Sequence, residues 1–308
     1  MSFLLLLADV LGPVVAVVAA GALVGPRLGL DLGTLSRLAY WVLGPAFVFD
    51  LFFDTTLEGS VALRLTVAAL AGMTVAAVVA HVAAGGIGVR GRRRSALVLT
   101  GTYGNVGNAG LAISAFALGE EARTAAGVLM LVIGTSGIAL GVALASMGDD
   151  DDTGRAARLA VALRRALLSP MPLATAAALA VNGVDVPVPL LAERSLDLLA
   201  GAMIPVMLFT LGLQLAQTGG IRLQPLIAVP AMTKLVVSPL ATLAVATAVG
   251  LTGDALGALI IQAAMPPAVF CVLVGIEYDL EPPLVTDAVV ATTIASLATL
   301  PLVLAFVT

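Results

Sequence analysis

The sequence predicts an all-α polytopic membrane protein of ten transmembrane helices, arranged as two inverted five-helix repeats. Three observations carry that fold class. The chain of 308 residues is 60% hydrophobic and 11% charged, with a mean hydropathy of +1.11, far from the balance of a soluble domain. Its apolar residues fall in continuous runs of about 20, the length that carries a helix across about 30 Å of hydrocarbon, rather than alternating as in a barrel strand. The two halves of the chain also align at a fixed offset of 160 residues.

The runs can be justified in order. The first, near 3–24, lacks a basic leader and is followed by further runs, so it is expected to be a retained helix and not a cleaved signal. The second, 35–53, begins beside Tyr40 and Trp41, aromatic residues suited to a membrane interface. The third, 61–85, carries the single histidine, His81, near its end, where an interfacial position suits it better than a proton relay. The fourth, 96–118, is interrupted by Gly101, Gly104, Gly107 and Gly110 with Asn105 and Asn108 between them. The fifth, 122–146, starts after Glu121. A polar segment with four consecutive aspartates, Asp149 to Asp152, separates it from the sixth, 160–181, and is read as a solvated loop. The seventh, 194–216, contains Pro205, Thr210 and Gln214. The eighth, 223–249, holds the only lysine, Lys234, about halfway along. The ninth, 255–276, is broken by Met265-Pro266-Pro267, and the tenth, 284–307, carries Asp287 one turn in.

Basic residues mark cytoplasmic loops. Eleven arginines, including Arg90 and Arg92 to Arg94, follow odd-numbered runs, whereas only Arg64, Arg123 and Arg194 follow even-numbered ones. Both termini are therefore expected outside and the linker 148–159 inside. That linker separates a first repeat, 1–147, from a second, 160–308.

At the 160-residue offset, Trp41 to Phe53 lies over Gly201 to Leu213, pairing Pro45 with Pro205 and Phe49 with Phe209. Glu121 falls on Glu281, Ser136 on Ser296, and Asn105 on Met265. Five spans per half force opposite topologies, and inverted repeats of this kind place a substrate site near the midplane, between two discontinuous helices. The interrupted fourth and ninth runs are such a pair. Two readings of the glycines compete: close helix packing, and local unwinding, since each glycine weakens a helix by about 1 kcal/mol. Packing does not account for Asn105 and Asn108, whose amides are costly in lipid without a partner. Pro266 and Pro267 remove two backbone donors, so carbonyls near Gln262 and Ala263 lose their partners. The candidate substrate-binding residues are Asn105, Gly107, Asn108, Gln262, Met265, Pro266 and Pro267.

Three charged residues are candidates for a charge or coupling role. Lys234 at mid-span is costly without a partner, so it is either an anion attractor or a side chain snorkelling outward. Asp50 is either a coupling carboxylate or a hydrated interfacial one, and Asp287 either a coupling group or the cap of its helix. Thr210, Gln214 and Gln262 can line a path or bond a neighbouring helix. One cysteine, Cys271, excludes an internal disulfide and reads as a buried apolar residue; one histidine excludes a multi-histidine metal site. No cofactor, metal, catalytic group or nucleic-acid partner is expected.

The stretches Gly104-Asn-Val-Gly-Asn-Ala-Gly-Leu-Ala-Ile113, Ile204-Pro-Val-Met-Leu-Phe-Thr-Leu-Gly-Leu213 and Gln262-Ala-Ala-Met-Pro-Pro-Ala-Val269, with Glu277-Tyr278 following, resemble the auxin efflux carrier family. Thr292 to Pro301 resembles that family's last span. One departure is Gly110-Leu111-Ala112, where members commonly have Gly-Leu-Pro. The resemblance implies broken fourth and ninth helices crossing in a transport domain of spans 3–5 and 8–10. It also implies a scaffold of spans 1–2 and 6–7, elevator-type movement between the two, and an outline similar to bile-acid symporters and sodium/proton antiporters. An anion is implied near the crossover, where half-helix N-termini present positive dipole ends.

The expected function is thus secondary-active or facilitative transport of a small organic anion, auxin-like or a carboxylate, across the cell membrane. Partners are that anion, the bilayer and, optionally, a second copy of the chain. The alternatives are an ion-coupled symporter or antiporter of the same fold and a non-transporting membrane sensor. An ion exchanger would need carboxylates beside the crossover, and neither Asn105 to Gly110 nor Met265 to Ala268 contains one. An intramembrane hydrolase lacks its paired groups.

Overall fold

A computed structural model describes residues 3–53, 57–146, 160–161, 164, 167–184, 188–217, 222–268 and 270–308. Every named element among them is helical. The linker expected at 148–159 lies outside the described residues. Among the described residues, six helical segments are long and apolar enough to cross a membrane: Leu32–Phe53, Gly59–Gly86, Glu120–Gly141, Leu190–Gln217, Pro225–Ala248 and Pro282–Val307. Gly12–Val24, Val106–Leu118 and Gly253–Ala263 are shorter apolar helices.

The chain divides into two compact units. The first comprises Met1–Glu58 and Leu167–Gln217. It contains α1 (Phe3–Val24), α2 (Leu32–Leu38), α3 (Gly44–Phe53), α8 (Pro170–Gly183) and α9 (Leu190–Gln217). A π turn, Ala39–Leu43, joins α2 to α3 without a break. Asp31 starts α2 by accepting from the Thr34 amide and hydroxyl, each at 2.7 Å, which satisfies an orphan donor of the first turn. α1 packs along α9. Gly21 and Gly212 make this close approach feasible, because the Phe209 and Val18 carbonyl oxygens occupy the space a Cβ would take. α3 packs on α8 and is tied to it by the Asn182 amide, which donates to the Phe53 carbonyl. The Thr210 hydroxyl donates to the Val206 carbonyl of its own helix at 2.7 Å.

The second unit comprises Gly59–Ala166 and Thr218–Thr308. It holds α4 (Gly59–Gly86), α5 (Gly91–Thr102), α6 (Leu111–Leu118), α7 (Glu120–Ser146), α10 (Ala228–Met232), α11 (Ser238–Ala248), α12 (Gly253–Ala263), α13 (Phe270–Glu277) and α14 (Pro282–Val307). π turns at Val106–Gly110 and Thr233–Val237 lead into α6 and α11. α4 packs on α5, α7 and α11, and α12 packs on α6, α7, α11 and α14. The core is aliphatic, with Leu65, Leu97, Leu99, Leu129, Leu259 and Ile261 excluded from solvent. Glycines with positive φ at 88, 91, 119, 250 and 253 supply the left-handed turns between helices.

The fourth and ninth hydrophobic runs are each split into two helices in this unit, as their glycines and prolines predict. The interruption of the fourth is narrower than its glycines suggest. α5 ends at Thr102, three residues follow, and helical geometry resumes in the π turn at Val106. Ala112 lies fully buried in the first turn of α6, well past the break. The unwinding therefore does not depend on a proline at that position.

Candidate functional site

The site is built where the two breaks meet. α5 closes on a bond from the Tyr103 amide to the Leu99 carbonyl at 3.0 Å, after which Tyr103 turns extended at φ −84°, ψ 105°. α12 closes on Ala264, which has no helical successor because Pro266 and Pro267 cannot donate. Across this gap the chains run antiparallel. The Asn105 amide donates to the Pro266 carbonyl at 2.7 Å, and the Ala268 amide donates to the Tyr103 carbonyl at 2.9 Å. Gly104 and Pro267 face each other between these bonds.

The residue types follow from that geometry. In the wide pair of an antiparallel ladder, the two central residues use neither of their own amides, and their Cα atoms approach to about 4.5 Å. Pro267 therefore costs no hydrogen bond at its position, and Gly104 supplies the close approach. A Cβ on Gly104 would also come within 2.8 Å of Lys234 Cε and 3.0 Å of its Nζ.

Lys234 lies in the π turn Thr233–Val237 and is 3% exposed. It does not snorkel. Its Nζ donates to the Ala263 carbonyl at 2.8 Å and to Ser238 Oγ at 3.3 Å. The Ser238 hydroxyl donates to the same carbonyl at 3.0 Å. Among the described residues, the polar groups that meet Lys234 are this carbonyl and this hydroxyl, and no carboxylate lies within ion-pair distance of it. Cys271 is buried, as expected, but its place is at the crossover: Sγ lies 3.7 Å from the Tyr103 carbonyl.

Buried polar atoms surround the breaks without partners among the described residues. They are Thr102 Oγ1, Ser114 Oγ, both amide atoms of Gln262, and Thr292 Oγ1. An unmet buried polar group costs about 1–3 kcal/mol. Gln262 does not bond a neighbouring helix. Its Oε1 lies against Gly110, where a Cβ would overlap it and would approach Met265 Cγ to 2.9 Å. Gly107 and Asn108 are partly exposed, whereas Asn105 is buried at 4%. The Tyr103 ring fills the space over Gly137 of α7 and meets Phe270 edge-on, with centroids 5.8 Å apart.

The structure thus brings Asn105, Gly107, Asn108, Gln262, Met265, Pro266, Pro267 and Lys234 into one unit around one crossing. Asp50 belongs to the other unit, where it is half-buried. Asp287 does not cap its own helix. It lies beyond the first turn, and its carboxylate accepts the Arg222 amide at 3.1 Å, while Glu281 occupies the cap position. Sequence reasoning missed Ser238, Tyr103 and Thr102. Ser238 was detectable as the residue four positions after the only lysine, on the same helical face.

An all-helical multi-pass membrane protein with two crossed helix breaks and a buried cation at the crossing belongs to the class of membrane transporters. A family model described as "Membrane transport protein" matches residues 149–304, 156 of the 308 residues. The chain belongs to that family, the auxin efflux carrier family of membrane transporters. No curated protein matches the chain.

Proposed function

We propose that this transporter carries a small organic anion across the cell membrane by alternating access, with the anion held at the crossing of the two breaks. The observation that carries this reading is the buried Lys234 side chain, whose amine lies close to Gly104 and is met by a carbonyl and a hydroxyl but by no carboxylate of the described residues, so that in its protonated form it lacks a counter-charge. A charge so placed leaves its desolvation largely uncompensated. An anion at Gly104 and Asn105 supplies the missing counter-charge, and the third N–H of the ammonium is available to bond it. The unpartnered Gln262 amide and the partly exposed Asn108 offer neutral contacts to the rest of such a molecule.

The ten-span inverted repeat belongs to this reading, with both termini outside and the 148–159 linker inside. The two compact units support it, because each gathers segments from both halves of the chain. Their membership follows spans 1–2 with 6–7 and spans 3–5 with 8–10. The first is read as a scaffold and the second as the domain that carries the anion in elevator fashion. A second copy of the chain would serve to anchor the scaffold. The test is flux of radiolabelled succinate and indole-3-acetate into proteoliposomes. Uptake of either above protein-free vesicles supports the reading, and no flux of these or any other organic acid across a panel rejects it. Asn105→Ala should lower flux at least tenfold with unchanged thermal unfolding; unaltered flux removes Asn105 from the site.

A further inference from the structure

In an α-helix each carbonyl is met by the amide four residues on. For Ala263 that residue is Pro267, which has no amide hydrogen. The Ala263 carbonyl is nevertheless satisfied twice over, by Lys234 Nζ at 2.8 Å and Ser238 Oγ at 3.0 Å. Lys234 lies in the π turn between α10 and α11, and Ser238 is the first residue of α11. They bond each other at 3.3 Å and are 3% and 2% exposed. On the remaining side the ammonium rests against the bare Cα of Gly104, the residue that faces Pro267 across the crossing.

We infer that Lys234 and Ser238 form a clamp that replaces the backbone donor Pro267 cannot provide, fixing the end of α12 where Pro266 and Ala268 meet the first break. They are positioning residues for the crossover. The clamp acts on the helix end whether or not an anion is bound, so it goes beyond the transport reading and does not depend on it. Two consequences separate it from general core packing. Losing a clamp donor should loosen the two amides that bridge the breaks, Asn105 and Ala268, more than amides elsewhere in the same helices. The worth of Lys234 should also depend on whether residue 267 has an amide hydrogen.

The experiment is amide hydrogen exchange and thermal unfolding of the full chain in detergent micelles, without added organic acid. Removing a charged donor from a buried carbonyl should speed exchange by about tenfold or more. Lys234→Met is therefore expected to raise the rates at Asn105 and Ala268 by that factor, and Ser238→Ala by less. Pro267→Ala restores a backbone donor, so the drop in melting temperature caused by Lys234→Met should shrink in that background. Should Lys234→Met not fold, Ser238→Ala alone and with Pro267→Ala gives the same two readouts. Wild-type exchange at both amides in the Ser238→Ala and Lys234→Met proteins overturns the clamp, and so do strictly additive melting shifts with Pro267→Ala. Flux is not measured, so failure of the anion-carrier reading would leave these outcomes unchanged.

Discussion

Gln262 shows at the scale of one residue how the proposed anion site would oppose folding. Its side chain is fully buried with both amide atoms unmet among the described residues, a cost of about 1–3 kcal/mol for each unsatisfied group. Gln262→Met keeps the volume and removes the polar atoms. It should raise the melting temperature of the ligand-free protein while lowering organic-anion flux, and thermal unfolding beside vesicle uptake checks both. Gly104 makes the opposite prediction. An added Cβ would press on Lys234 and on the close pairing with Pro267. Gly104→Ala should therefore destabilise by about 1–3 kcal/mol, the usual cost of overpacking, as read from denaturant unfolding. The residues that carry chemistry were legible where they broke a rule of their surroundings: asparagine in an apolar run, lysine at mid-span, paired prolines. Thr102 and Ser238 broke no rule, since serine and threonine sit comfortably in helices by bonding their own backbone, and Tyr103 is an aromatic residue in an otherwise apolar run. Only the fold shows that Ser238 bonds elsewhere.

Among the elements, the two interruptions are unequal although they occupy matching positions in the two halves. Prolines make the second absolute, because the residues four ahead of Gln262 and Ala263 are Pro266 and Pro267, which have no amide hydrogen. The first is conditional, since nothing in Gly104 or Asn105 forbids a helix, and its extended form is held by two bonds to the other break. The sequence could therefore point to both breaks but could not set the boundary of the first, which depends on its pairing with Pro266 to Ala268, far along the chain. At the 160-residue offset Thr102 matches Gln262, and both are buried polar side chains without partners at the ends of their half-helices. A different element gives a pH prediction. The Asp31 carboxyl, at the exposed start of α2, is held below its usual value of 3.8 by the Thr34 hydroxyl first and then by the Thr34 amide. A carboxylate depressed in the folded state contributes stability above its unfolded pKa, and that contribution is lost as pH falls through the lower folded value. Asp31→Ala should lower the melting temperature at neutral pH, and the difference from wild type should vanish as the pH drops well below 3.8.

For the whole molecule, the helical, membrane-spanning character was legible from composition and run length alone, because lipid leaves the backbone few other options. Composition and run length did not give the grouping of segments into two compact units, which arises from contacts between the halves and was implied only by the family resemblance. The proposed topology has a direct test. Cys271 is the chain's only cysteine and is buried, so Cys271→Ala gives a cysteine-free background. In intact cells, a membrane-impermeant maleimide should label Glu120→Cys readily and Arg90→Cys only after permeabilisation. The reverse pattern would invert the orientation read from the arginines. The joint between the breaks has one further consequence. Both of its bonds run between main-chain atoms, from Asn105 N to Pro266 O and from Ala268 N to Tyr103 O, so no side-chain replacement short of proline at a donor deletes them. The crossing is therefore insulated from drift at positions 105, 108 and 262, and on the proposed reading a lineage could exchange one cargo for another there without first dismantling the joint.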